Sequence, residues 1–147
     1  MTQPSDLSIA TVHSPVVIRV DEEYHVSEAR LEARSLAEAA GFKTTAIYYI
    51  ITSVSELANN IFFHASRGGV IRLATITRDG MFGIEVNAED EGPGIPDLNQ
   101  AMMDGFSTNG GLGGGLPGVK RLMDEFEISS MVDVGTRIVA RKWNPCR

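Results

Sequence analysis

Between Thr44 and His64 apolar residues recur every three or four positions: Ile47, Ile50, Ile51, Val54, Leu57, Ala58 and Ile61. That spacing predicts one long helix with a continuous apolar stripe. Such a stripe must be buried against another layer. The flanking sequence says what that layer is. Pro15–Val20 reads as a strand. A helix over about Tyr24–Ala40 places Ala29, Ala33, Leu36, Ala37 and Ala40 at helical spacing, with Gly41 as a natural stop. Thr44 is expected to cap the long helix. Downstream, Val70–Thr77 and Met81–Ala88 are β-rich runs joined by Arg78-Asp79-Gly80, a strong hairpin signal. Glu127–Val132 and Thr136–Trp143 read as a closing hairpin. Hairpin-paired strands with helices on one face predict a two-layer α/β sandwich with a mixed, mostly antiparallel sheet. Residues 1–14 are polar and aperiodic and are expected to form a flexible N-terminus. Residues 15–147 are expected to form a single domain, which suits a chain of 147 residues.

The composition changes sharply after Asp90. From Glu91 to Gly118 the chain is rich in glycine and proline, with room for a short helix near Leu98–Met103. A further helix is expected from about Leu116 to Asp124, with Pro117 tolerated in its first turn.

Charge and composition exclude several classes of function. The net charge is −6, and no Lys/Arg cluster exceeds two adjacent residues. A nucleic-acid binder needs a basic footprint, which is missing here. No apolar run approaches the roughly 18 residues of a membrane span. The N-terminus lacks the pattern of a secretory signal. The one cysteine, Cys146, cannot form an internal disulfide, which fits a reducing cytoplasm.

Three features carry chemistry. Glu56 and Asn60 lie four residues apart and share one helix face. At about 100° per residue that face points away from the Ile47/Val54/Ile61 stripe. It is either a solvated polar face or a carboxylate and a carboxamide offered to a ligand. Asp90-Glu91-Gly92-Pro93-Gly94 follows a strand. It is either a Pro-Gly turn or a carboxylate placed to accept from an amino group, with glycines that let a flat ring approach the backbone. Finally, Gly110-Gly111-Leu112-Gly113-Gly114-Gly115-Leu116 runs straight into an amphipathic helix. Successive backbone N–H groups and a helix start make a phosphate cradle. Ordering so many glycines is costly, which argues against a mere linker. A helix terminus supplies at most about 2 kcal/mol per charge. Micromolar binding needs about 8 kcal/mol, so the three features must act together. Neither a Walker A sequence nor the His-Arg-Asp and Asp-Phe-Gly kinase set is present.

In this order and spacing, Glu56-Leu57-Ala58-Asn59-Asn60, Asp90-Glu91-Gly92-Pro93-Gly94, the Gly111–Gly115 loop and Gly135-Thr136 resemble the sequence boxes of the GHKL (Bergerat-fold) ATPases. The resemblance spans roughly residues 15–143. The stretch from Asp104 to Phe126 is similar to the RsbT-type switch kinases of bacterial stressosomes, relatives of the anti-sigma-factor kinases. The resemblance implies roles for matching positions. Glu56 would be the general base, and Asn60 would ligate Mg²⁺. Asp90 would read the adenine amine of ATP, with Gly92 and Gly94 against the ring. Gly111, Gly113 and Gly115 would cradle phosphates, with Leu116 opening the helix. Thr136 would support a water network beside adenine. The middle of the Gly113–Gly115 run is more glycine-rich than the family pattern, which implies a looser lid.

The implied activity is cytoplasmic, ATP-dependent phosphorylation of serine or threonine on STAS-domain scaffold or antagonist proteins. A downstream phosphatase or other output protein would then be engaged. Two alternatives stay open: an anti-sigma factor that sequesters a sigma factor, and a non-catalytic, nucleotide-gated binding module. A histidine kinase is not expected, because about 15 polar residues leave no room for a helix pair bearing an acceptor histidine. The gyrase, MutL and Hsp90 readings would need a further transducer domain.

Overall fold

The computed structural model describes residues 8–65, 67–92, 102 and 115–145. Two helices lead into a sheet, in the order β1 (Ala10–Thr11), β2 (Val16–Val20), α1 (Glu23–Ala39), α2 (Thr44–His64), β3 (Gly69–Arg78) and β4 (Met81–Asp90). After the glycine-rich stretch come α3 (Gly115–Leu122), β5 (Glu125–Met131) and β6 (Gly135–Asn144). The six strands form one sheet in the order β1-β3-β4-β6-β5, with β2 also on β3. Every pairing among the described residues is antiparallel. Asp79 and Gly80 close the β3–β4 hairpin with φ of 54° and 79°, the left-handed pair that a two-residue turn requires.

One apolar core fills the space between helices and sheet. α2 contributes Ile50, Val54, Leu57, Ala58 and Ile61, and the strands contribute Ile71, Leu73, Ile84, Val86, Ile138 and Ala140. The small residues Ala29, Ala33 and Ala37 of α1 are fully buried, which lets α1 approach α2 closely. This is the two-layer α/β sandwich with helices on one face. The opposite face of the sheet carries only a small cluster, Ala74, Ile76 and Trp143 with Ile9 and Met81.

Two details differ from the sequence reading. Thr44 is the first helical residue of α2. The N-cap is Lys43, with no side-chain cap bond. Within the N-terminal stretch expected to be flexible, Ala10 and Thr11 pair with Thr77 and Ile76, and the Val12 N–H donates to the Thr75 carbonyl at 2.8 Å. The reason is geometric. β2 covers β3 only from Gly69 to Leu73, so the rest of that ten-residue edge needs another partner. The expected short helix near Leu98–Met103 falls almost wholly outside the described residues.

Trp143 anchors an ionic cluster on the sheet's outer face. Arg141 Nε donates to Glu85 at 2.8 Å and its Nη1 to Glu125 at 3.1 Å. Arg78 also bonds Glu125 and stacks over the Trp143 ring, 4.4 Å from its centroid. Trp143 Nε1 donates to Glu125 at 2.9 Å. Burial by itself pushes the Glu125 carboxyl up, but bonds from Arg78, Trp143 and Arg141 outweigh it and hold that group below its ordinary value. Burial likewise works against the Arg141 charge, and Glu85 and Glu125 more than offset it.

Candidate functional site

Four positions fall in one register row across the sheet. Gly69 lies opposite Asp90, Asp90 opposite Thr136, and Thr136 opposite Ser130. Asp90 is the last residue of β4, so its side chain stands at the strand's end beside the C-terminus of α2. One carboxylate oxygen accepts from the Gly92 N–H at 2.8 Å. This local turn fixes the carboxylate. Among the described residues its other oxygen has no hydrogen-bond partner.

Glycine is required on both sides of this carboxylate. A Cβ on Gly92 would lie 2.9 Å from Ala65 Cα, against the residue that ends α2. Gly135 has a φ of 147°, and a Cβ there would come within 2.1 Å of the Asp90 carbonyl oxygen. The Asp90 backbone is therefore clamped between α2 and the β5–β6 hairpin. Thr136, buried, shares a hydrogen bond with Ser130 Oγ at 2.8 Å. Ser130 also donates to the Gly135 carbonyl at 3.3 Å. Sequence reasoning singled out Thr136 but missed Ser130. The signal was its position opposite Thr136 in the closing hairpin.

Glu56 and Asn60 sit on α2, with Asn60 one to two turns and Glu56 two to three turns before Ala65. The structure overturns the solvated-face alternative for this pair. Glu56 is only 8% exposed, and Asn60 is half-buried. Nearby, α3 packs on α2 and adds Leu116 and Val119 to the core. α2 is thus covered by the sheet on one side and by α3 on another. Ser53, one turn earlier, is fully buried as well. Gly115 opens α3 with a φ of 71°, and Leu116 follows it into the core. So Glu56 and Asn60 lie on α2 and Gly115 and Leu116 on the α3 that packs against it, while Asp90, Gly92 and Thr136 lie at the sheet end that α2's C-terminus abuts. Gly94, Gly111 and Gly113 lie outside the described residues. His64 is exposed at the end of α2.

A cavity of about 750 Å³ opens at this end of the sheet. Asp90, Ser130 and Thr136 form part of its wall, but much of it is Arg19, Arg67, Arg72 and Arg137. Neither Glu56 nor Asn60 lines it. No helix among the described residues is long and apolar enough to cross a membrane.

Helices on one face of an antiparallel sheet, with this Asp-Gly turn at the end of β4, define a class. The chain belongs to the histidine kinase-like ATPase domain family, which matches residues 18–142. Within that class it is a homologue of a protein serine/threonine kinase. Serine/threonine-protein kinase RsbT of Bacillus subtilis is 48% identical over 126 residues, 86% of this chain and 94% of that protein. Anti-sigma F factor of Geobacillus stearothermophilus is 30% identical over 122 residues, 79% of this chain and 82% of that one. Among solved structures, the RsbU and RsbW domains of a Mycobacterium tuberculosis protein share the fold with a TM-score of 0.63 at 19% identity. That match covers 92% of this chain and 34% of the mycobacterial one, so the chain spans about a third of that protein.

Proposed function

We propose that this chain transfers the terminal phosphoryl group of ATP to a serine or threonine on a small STAS-domain scaffold or antagonist protein. It then engages a downstream output protein, as part of a bacterial partner switch. Near-full-length similarity to RsbT supports the reaction class. The observation that carries the reading is the Asp90 carboxylate, fixed by Gly92 and clamped by Gly135 beside the end of α2.

The residues present fit ATP and Mg²⁺. The two glycines leave open the space that a Cβ would fill against Ala65 and Asp90. Asp90 accepts from the exocyclic amine of adenine with the oxygen that Gly92 does not use. Gly92 and Gly94 would face the ring, and Thr136, held by Ser130, would support water beside it. Backbone N–H groups of Gly111, Gly113 and Gly115 donate to phosphate oxygens, and Leu116 anchors the start of α3 in the core. Among the described residues no cluster of three acids or histidines could hold a metal. Asn60 would offer its side-chain oxygen to Mg²⁺, an ion that also takes ligands from phosphate and water. When bound, Mg²⁺ neutralises charge on the phosphates. Glu56 orients the acceptor hydroxyl and takes its proton. The hydroxyl oxygen forms a bond to the terminal phosphorus, the bond to the bridging oxygen breaks, and ADP leaves.

The test is incubation with radiolabelled ATP and purified STAS-domain proteins. Label on a serine or threonine, lost in Glu56→Ala, is the expected outcome. ATP binding without label on any of them would make the chain a nucleotide-gated docking module. Similarity to anti-sigma F factors over most of their length favours one second reading, in which a sigma factor is held as well. Pull-down with purified sigma factors separates the two.

A further inference from the structure

We propose that the arginine-lined cavity on the outer face of the sheet is a docking groove for an acidic, leucine-containing segment of a partner protein. This inference does not depend on the kinase reading. The chain carries thirteen lysines and arginines against nineteen acids. Yet Arg19, Arg67, Arg72 and Arg137 line a single cavity of about 750 Å³, where they outnumber the acids Glu89, Asp90 and Glu91 in its wall. Such convergence in an acidic protein has no role in the core, because these side chains lie away from it.

The four are not equally committed. Arg72 pairs with Glu89 at 3.2 Å, and Arg19 pairs with Asp21 at 3.2 Å while donating to the Arg67 carbonyl at 3.3 Å. Arg67 and Arg137 are exposed and make no ion pair among the described residues. They come from different places, Arg67 before β3 and Arg137 on β6, and stand in the wall of one hollow as two guanidinium groups with no ion pair among the described residues. Guanidinium presents a planar fork that matches carboxylate.

The same groove has an apolar rim. Met131 and Val134, at the tip of the β5–β6 hairpin, line it and are 64% and 59% exposed. Val132 beside them is also exposed. An occupant that satisfies both features has carboxylates for the arginines and an apolar side chain for the tip. The volume is in the range that takes a few side chains. The groove shares Asp90, Gly135 and Thr136 with the candidate nucleotide site, so an occupant would press on the backbone that clamps Asp90.

The experiment uses a short fluorescein-labelled peptide of Glu and Asp around a central Leu, with a lysine-substituted peptide as control. Binding is read by fluorescence anisotropy. The intact chain is expected to bind the acidic peptide alone, more weakly as salt rises. The double variant Arg67→Ala, Arg137→Ala is expected to raise Kd by roughly tenfold or more. Met131→Ser with Val134→Ser should raise it by a few fold. Unchanged circular dichroism and melting confirm that the variants fold. Equal binding of the lysine peptide, or no change in the double arginine variant, overturns the proposal. So does displacement of the peptide by an equal concentration of inorganic phosphate, which would make this a simple anion site. Sedimentation showing self-association that the arginine variant abolishes would also overturn it, in favour of a second copy as occupant.

Discussion

On the helix side of the sheet, Ile71, Leu73, Ile84, Val86, Ile138 and Ala140 are buried against α1 and α2. On the other side, alternate residues of the same strands are Arg72, Glu85, Glu89, Arg137 and Arg141. The helix side gains its order from non-directional burial, so almost any apolar residue of the right volume serves there. The outer side is held by directed pairs, and each works only with its partner in place. The polar residues at the sheet end show the consequence. Glu56 is buried and Asp90 is half-buried, and the Asp90 carboxylate is held by the backbone turn at Gly92. Charges at the cavity end of the outer face, Arg67 and Arg137 among them, stay accessible to partners. If this division of labour is right, substitutions at the framed carboxylates should alter chemistry, and those on the outer face should alter stability or docking.

The largest effect is expected at Glu56. Glu56→Ala should lower phosphoryl transfer by about 10² to 10⁴-fold while ATP binding, followed by calorimetry, is retained. Normal transfer by this variant would move the base elsewhere and break the comparison on its functional side. Asp90→Asn comes next. It replaces an acceptor by an amide that can present its donor group to the adenine amine, and should weaken ATP binding by roughly a hundredfold. Because the backbone clamp at Gly92 and Gly135 stays in place, its melting temperature should change little. Equal loss of stability and of binding would mean that Asp90 is a structural residue.

How far these residues could be read from the sequence depends on the range of the forces that place them. The α2 stripe and the Asp79-Gly80 turn are local, so periodicity and backbone preference revealed them. The spacing of Glu56 and Asn60 was equally local, but its meaning was not. At about 100° per residue Glu56 falls opposite the stripe, and nothing nearby in the chain indicates that the fold buries that side as well. Ser130 was missed for the same reason, since its bond to Thr136 depends on hairpin register. The ionic cluster was invisible because Glu85 and Arg141 are 56 positions apart. The Thr44 cap failed because a threonine before an apolar stripe signals a helix start only to within a residue, and here the chain turns helical one residue earlier.

On the outer face, Glu125 offers a test through pH. Bonds from Arg78, Trp143 and Arg141 stabilise its charged form, so its folded carboxyl lies below the ordinary value of 4.5. The stability it supplies is fully present above that value and is lost as pH falls through the lowered one. Glu125→Gln should therefore be less stable than the parent at neutral pH by about 1 kcal/mol, read by urea unfolding. The gap should narrow on acidification below about pH 4.5, because the variant has no carboxylate to protonate. A gap constant with pH would mean that shape, rather than charge, holds Trp143 in place.

The smallest effect is expected at Arg72. Its ion pair with Glu89 has nearly the same length, 3.2 Å, as contacts in the Trp143 cluster, but its side chains are 42% and 49% exposed. Arg141 by contrast is 11% exposed and bonds two carboxylates. Distance alone would rank the two alike. Solvent screening and the entropy of fixing two long side chains separate them, and leave the exposed pair worth about 0.5 kcal/mol or less. Arg72→Ala should therefore shift a urea midpoint barely beyond error, and added salt should erase the shift. A loss as large as that of Glu125→Gln would show that the cavity end of the outer face is as rigidly framed as the Trp143 end. The cavity would then be no docking groove, because a rigid, self-satisfied arginine layer has no charge to offer a partner.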